Sequence, residues 1–447
     1  MSVASPPEDA DISLYLHAEL LPNIRQITLY VSLPQIPALE DTQPEIQLSE
    51  SCKSVTVSLP EPFDHVAETI KLPARVTDAT RLTLTIGKAT SSPGNPTSLS
   101  HDYSVRMHIH PSDPVLAPRD ELIDDHVPWT AADMSPSTRI RCRGCGTPFL
   151  SEPHPEHPVE ENDQCRLPGW LWKDLPSGNW AEMMDFWHCH KPDPHEDNPK
   201  SEAMAAIKLE EETAQIKGYG ASSRVEAIPG TVLIDVATFL LSKADCVNLE
   251  KGNEEETRTL GPEGSTERTL KCANCNMIIG MEDPTAKGWR LLKAFVSLNT
   301  NIRASEPDEE QWQSHPAQVI VAAQLLELIE RESARRFVVH CGQKSGLLLW
   351  VFNPDLRYSN SSSGHSINAQ QAMKVFFQET REVDKLLAPE IGNPSPLSVE
   401  ELELPSLVYE ALSEALQGSN QMLPPTAGRF KEWHVGLLSR FSRRQAA

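Results

Sequence analysis

Between residues 12 and 110 apolar and polar positions alternate in short runs: ISLYLHAEL, RQITLYVSLP, KSVTVSLP, TRLTLTIG and YSVRMHIH. Each run contains β-branched residues, and Pro, Asn, Ser or Gly separates it from the next. A period of two puts alternate side chains on one face, as a half-buried strand requires. Repeated short strands of this kind predict a sandwich or curled antiparallel sheet. Nothing in these residues asks for more than a structural role.

The pattern then changes. A proline- and aspartate-rich link covers 110–129, where missing backbone donors and fixed φ angles predict a surface connection. EAMAAIKLEEETAQIKGYG reads as a helix ended by glycine, TVLIDVATFLL and GWRLLKAFVSL as strands, and the acidic stretch 249–268 as a solvated loop. Beyond 312, AQVIVAAQLLELIERESA repeats its apolar positions every three or four residues and predicts an amphipathic helix. RFVVHCG, GLLLWVFNP and WHVGLLSR read as strands, AMKVFFQETREVDKLL and VYEALSEALQ as helices. No internal repeat or regular βαβ series is present. The expected class is mixed α+β: a β-rich N-terminal domain over 1–128, a zinc-knuckle and tryptophan-rich domain over 129–304, and a mixed α/β C-terminal domain over 312–447.

Charge narrows the partners. Forty basic against 63 acidic side chains give a formal charge of −23, a field that repels phosphate backbones, so direct nucleic-acid binding is not expected. Basic or mixed protein surfaces are compatible with it. The first residues carry no basic region or long apolar run, and no stretch reaches a membrane span. These features lead to the expectation of a cytoplasmic or nuclear protein without a membrane partner, whose nine cysteines are thiols or metal ligands before disulfides.

Two CxxC knuckles carry the clearest chemistry. Cys142-Arg-Gly-Cys145-Gly and Cys272-Ala-Asn-Cys275-Asn each follow a strand-like run and turn on small residues, a geometry that points thiolates at one cation. Four such ligands suit tetrahedral Zn2+. One knuckle completed by Cys189 or His190 is the alternative. A second metal or structural site could use Cys165, Cys189 and His190, while His154 and His157 lie in a proline-rich loop. Five of the nine tryptophans fall between Trp129 and Trp187, either as a small core around the metal or as an exposed peptide groove.

Signals for catalysis are sparse. Cys341, after His340 and before a glycine turn, is the candidate nucleophile, although adjacent strand residues face opposite ways and His340 should not be its direct base. Cys246 is a weaker candidate, and Cys52 reads as an ordinary strand thiol. Glu182 and Asp185 could share a helical face as acid and base or simply be solvated. There is no phosphate loop, dinucleotide fingerprint, HExxH or GxSxG.

Taken together, RCRGCG, LPSGNWAEMMDFWHCHKP, GTVLIDVATFLL, LKCANCNMIIG, LLLWVFNPDLRYS and WHVGLL resemble the HECT-like ubiquitin-conjugating-enzyme (E2)-binding family over nearly the whole chain. The resemblance implies an E2 partner and possible ubiquitin-ligase activity; through relatives it also implies an RNA-processing protein client in the mRNA 3′-end machinery. A HECT ligase passes ubiquitin through a cysteine thioester, but the Thr-Cys loop of a HECT C-lobe is missing from this sequence. The paired knuckles are also similar to those of β-tent zinc modules, which implies a β-tent-like centre clamped by two hairpins.

Overall fold

In the computed structural model the alternating N-terminal runs are strands. The structure describes residues 14–33, 44–81, 102–114, 126–152, 169–175, 225–252, 269–300, 312–342, 344–362, 369–388 and 399–443. The first strands are β1 (Tyr15–Leu21), β2 (Gln26–Ser32), β3 (Glu45–Leu48), β4 (Ser54–Ser58), β5 (Ala67–Lys71) and β6 (Asp102–His108). Then come β7 (Arg139–Cys142), β8 (Leu171–Asp174), β9 (Thr231–Ile234), β10 (Thr238–Leu241), β11 (Leu249–Lys251), β12 (Thr269–Cys272), β13 (Ile278–Asp283), β14 (Gly288–Leu292) and β15 (Val296–Asn299). The C-terminal part holds α1 (Ala317–Glu332), β16 (Arg336–His340), β17 (Gly346–Asn360), β18 (Gln370–Thr380), α2 (Val383–Leu387), β19 (Glu400–Glu403), α3 (Ser406–Met422), β20 (Arg429–Phe430) and β21 (Trp433–Ser439).

The chain divides into two compact units, neither continuous in sequence: 1–121 with 347–380 and 413–440, and 122–346 with 381–412 and 441–447. Each unit therefore combines early and late segments of the chain. The reason is strand pairing at long range. β1 lies antiparallel to β17, with His17 opposite Asn360 and Leu20 opposite Arg357, so N- and C-terminal strands share one sheet. Its order is β20-β21-β18-β17-β1-β2-β6.

On one face of that sheet Leu16, Ala18 and Leu20 of β1 join Ile27, Leu29 and Val31 of β2, all essentially without solvent contact. The small sheet β3-β4-β5 covers them with Val55, Val57 and Ile70. Both faces of β18 are buried, Ala372 and Phe376 on one, Met373, Val375 and Phe377 on the other. This corrects the helix expected at AMKVFFQETREVDKLL. A strand buried on both faces loses its polar alternation and imitates a helical run, and only the short α2 at its end is helical. α3 also closes an edge: Ser419 Oγ accepts from Leu437 N at 2.9 Å, and Asn420 Nδ2 donates to Val435 O at 2.8 Å. β21 is thus protected from foreign pairing over that stretch.

The second unit carries a seven-stranded sheet, β11-β12-β13-β14-β10-β9-β8, antiparallel except between β8 and β9. TVLIDVATFLL is a hairpin rather than one strand, with Ile234 opposite Phe239. GWRLLKAFVSL likewise breaks in two at Lys293, after which β15 leaves the sheet and pairs with β7. Gly280 marks the tightest strand approach, since a Cβ there would lie 2.0 Å from Arg290 O. A parallel β16–β19 pair and α1 belong to the same unit. Among the described residues no helix is long and apolar enough to cross a membrane.

Candidate metal centre

The two knuckles are built alike. In each, a strand delivers the first cysteine and its backbone closes the same turn: Cys142 N donates to Thr147 O (2.8 Å) and Cys272 N to Met277 O (2.9 Å). The residue after the second cysteine donates back, Gly146 N to Cys142 O at 3.0 Å and Asn276 N to Cys272 O at 2.9 Å. Both closing residues lie in the left-handed region, at φ 75° and 59°, which glycine and asparagine tolerate best. The shared glycine-or-asparagine ending of the two motifs has this cause.

The turns aim their sulfurs at one point. Cys142 Sγ lies 3.6 Å from Cys275 Sγ, Cys145 Sγ lies 3.5 Å from Cys272 Sγ, and all four fall within 4.8 Å of one another. Zinc–sulfur bonds of about 2.3 Å place tetrahedral sulfurs about 3.8 Å apart, so the donor set and its spacing fit a single tetrahedral ion. Cys142 and Cys272 are buried and Cys145 and Cys275 face solvent. The Thr147 hydroxyl, 3.1 Å away, and its backbone N–H hold the Cys145 thiol down to about 5, whereas burial pushes Cys142 up to about 12. A cation removes that conflict by accepting every sulfur as thiolate. Such an ion would hold two hairpins together and supply no bond-making chemistry.

Around the cysteines lies a core in which Trp129, Trp170 and Trp172 are buried with Phe149 and Phe239. Trp172 Nε1 donates to Ser135 O at 2.7 Å, the satisfied polar handle that a buried indole needs. These three tryptophans are core residues, not a groove. The remaining tryptophans of the block, together with Cys165, Cys189, His190, His154, His157, Glu182 and Asp185, lie outside the described residues, as do the helix expected at 202–220 and most of TRLTLTIG.

Sequence reasoning missed Lys293. Its side chain is fully buried, its Nζ donates to Pro128 O at 2.8 Å and Trp129 O at 3.2 Å, and it faces the Phe239 ring at 5.3 Å. Burial lowers it to about 7, against the pull of Asp235, Asp174 and Asp133. The ammonium ties 128–129 to the β14–β15 corner, from which β15 reaches back to pair Val296 with Cys142. Its one sequence signal was a charged residue inside an otherwise apolar run.

Cys341 stands apart from the cluster. The His340 imidazole is already engaged: Nδ1 accepts from Gly342 N at 3.1 Å, so Nε2 carries the proton and faces Glu401 Oε1 at 2.8 Å. Burial, Glu410 and Glu403 push the Cys341 thiol up. Cys246 is pushed up to about 12 by burial and Asp245, and Cys52 is raised by burial and by its hydrogen bond to Asp78. Among the described cysteines outside the cluster, none is an activated thiolate.

These features define a mixed α+β protein with a four-cysteine site that could hold one metal ion. The HECT-like ubiquitin-conjugating enzyme (E2)-binding model matches residues 19–435, so the chain belongs to that family. Similar proteins include an uncharacterized protein of Schizosaccharomyces pombe, 24% identical over 84% of this chain and 94% of its own length. An uncharacterized protein of Saccharomyces cerevisiae is 23% identical over 70% of this chain and 72% of its own. An E3 ubiquitin-protein ligase of Mus musculus is 27% identical over 59% of this chain and 64% of its own. No solved structure matches.

Proposed function

We propose that this chain binds a charged E2 and promotes ubiquitin discharge without forming its own thioester, and that Zn2+ on Cys142, Cys145, Cys272 and Cys275 staples the module that makes this possible. The family match over 19–435 carries the E2 partner, and the mouse ligase adds the activity. The chemistry of the thiols favours the non-covalent route: four cysteines converge on a metal geometry, and the described others are raised above their usual values. A thioester acceptor needs a thiolate at working pH. Two similar turns meeting face to face also support a β-tent-like reading of the centre.

The test is single-turnover discharge of E2-linked ubiquitin onto free lysine by the full-length, zinc-quantified protein. Acceleration that survives Cys341→Ala, with no reducing-agent-sensitive adduct on the chain, is the expected result. An adduct lost in Cys341→Ala makes transfer covalent and overturns the mechanism. Binding of E2 without acceleration across a competent panel removes the ligase activity and turns attention to a scaffold for a client such as an RNA-processing protein.

A further inference from the structure

The first unit carries an aromatic surface that includes none of the four clustered cysteines. Phe376 is buried between two rings, Phe352 and Phe430, stacked on it with centroids 4.9 Å away on each side. Trp350 stands edge-on to Phe352, Phe376, Phe430 and Trp433, at 5.3 to 6.4 Å. The interior of this cluster is ordinary core. Its two outer rings are not, because Phe352 is 49% and Phe430 41% exposed. Two phenyl faces on one patch are a loss that folding alone does not require.

Two of the three charges beside the rings, Arg429 and Lys431 against Glu432, have the opposite sign from the protein as a whole. Arg429 and Lys431 flank Phe430 and are exposed, Lys431 Nζ sits 5.8 Å from the Phe430 ring, and neither makes an ion pair among the described residues. The neighbouring acid, Glu432, accepts from Trp433 Nε1 at 3.1 Å. β20 is also the terminal strand of its sheet on this side. Rings, two cations and a terminal strand therefore meet in a chain of net charge −23.

We infer that this patch is a docking site for a short extended protein segment that carries acidic residues beside an aromatic or aliphatic side chain. The apolar side chain lies against Phe352 and Phe430, carboxylates face Arg429 and Lys431, and the backbone lines up along β20. A second copy of this chain is disfavoured, because a two-fold contact would press Arg429 and Lys431 against their own equivalents. A nucleic-acid strand could also stack on the rings, but it places a phosphate at every nucleotide against the field of an acidic chain. A segment with one or two carboxylates placed against Arg429 and Lys431, away from Glu432, matches the local charge without that opposition.

The experiment is selection of short random peptides displayed on phage against the immobilised full-length chain, with counter-selection on the Phe352→Ser/Phe430→Ser variant. A labelled selected peptide is then measured by fluorescence anisotropy. Acidic peptides with an apolar residue, binding about tenfold more weakly to the double variant and to Arg429→Glu/Lys431→Glu, are expected, with the charge-swap loss shrinking at high salt. The charge-swap pair lies wholly on the surface and keeps the test valid should the serine variant misfold. Peptides that bind both variants as well as the parent chain, or that are basic, overturn the proposal. So does a labelled single-stranded oligonucleotide that depends on these residues where acidic peptides do not. Self-association in sedimentation that both variants abolish overturns it as well.

Discussion

The two compact units are stabilised in different ways. In the first, a sheet assembled from both ends of the chain sits on a continuous apolar core, with Leu16, Ile27, Leu29 and Val31 removed from solvent. Within it one charged group is buried for a reason. Glu19 receives Lys374 Nζ at 2.8 and 2.7 Å, and His17 Nε2 lies 3.2 Å from the same carboxylate. In the second, strands of three to six residues turn sharply at Cys142, Cys272 and Lys293, and the apolar core is arranged around a four-cysteine cluster. Long paired strands can order themselves by burial and register, whereas short strands with many turns need a local staple. The contrast predicts which perturbation each unit tolerates.

The largest effect is expected from the cysteine cluster. Structural zinc contributes apparent binding energies of about 10–16 kcal/mol, comparable with the whole stability of a domain. Chelation, or Cys272→Ser, should therefore abolish hydrogen-exchange protection in β12, β13 and β14 while leaving it in β1, β2 and β21. Equal loss in both sets would mean that the units unfold as one and would erase the distinction between them.

Next comes the buried pair of the first unit. Lys374→Met removes the main counter-charge of buried Glu19 and leaves it only His17, at a cost of up to about 3–5 kcal/mol. The pH dependence has a definite sign. Burial pushes the Glu19 carboxyl up, but Lys374 and then His17 outweigh it and hold it at about 2, below the ordinary 4.5. A depressed acid contributes stability above its unfolded value, so this contribution is present above about 4.5 and is lost as pH falls towards 2. Denaturant titrations of the parent chain between those limits should show the loss in probes of β1, and Lys374→Met should flatten it. A variant that titrates like its parent would show that the pair does not set acid stability.

A smaller effect separates packing from metal within the second unit. Gly280→Ala forces a methyl against Arg290 O and should cost about 1–3 kcal/mol by thermal unfolding of the zinc-loaded protein, without changing zinc stoichiometry. Loss of zinc in that variant would show that the β13–β14 approach and the knuckle are one device. Smallest of all is Cys341→Ala. Its half-buried thiol has neither a base nor a metal partner among the described residues, so stability should change by less than about 1 kcal/mol and ubiquitin discharge should remain.

Much of this organisation was legible along the chain, and the exceptions share a cause. β2, β4 and β6 alternate because one face of each meets a core and the other is mixed, and α1 shows its helical period for the same reason. β1 alternates although both faces are covered, because its second face buries the polar His17 and Glu19. β18 failed to show a strand period because both of its faces are covered. TVLIDVATFLL and GWRLLKAFVSL each hid a turn inside an apolar run, at Asp235 and at Lys293. Local pattern reports the polarity of what each side of an element meets, and it is silent where both sides meet apolar side chains.

Read residue by residue, the chain already carries its chemistry: two CxxC turns that must end on glycine or asparagine, a strongly acidic balance, and the residues that place it in an E2-binding family. What those parts meet is settled by folding. Folding brings Cys142 to Cys275 across 133 positions, sets β1 against β17, buries Lys293 on two carbonyls, and leaves Phe352 and Phe430 outside the core. Side-chain chemistry is local, but convergence depends on long-range pairing and burial, which no short stretch of sequence contains.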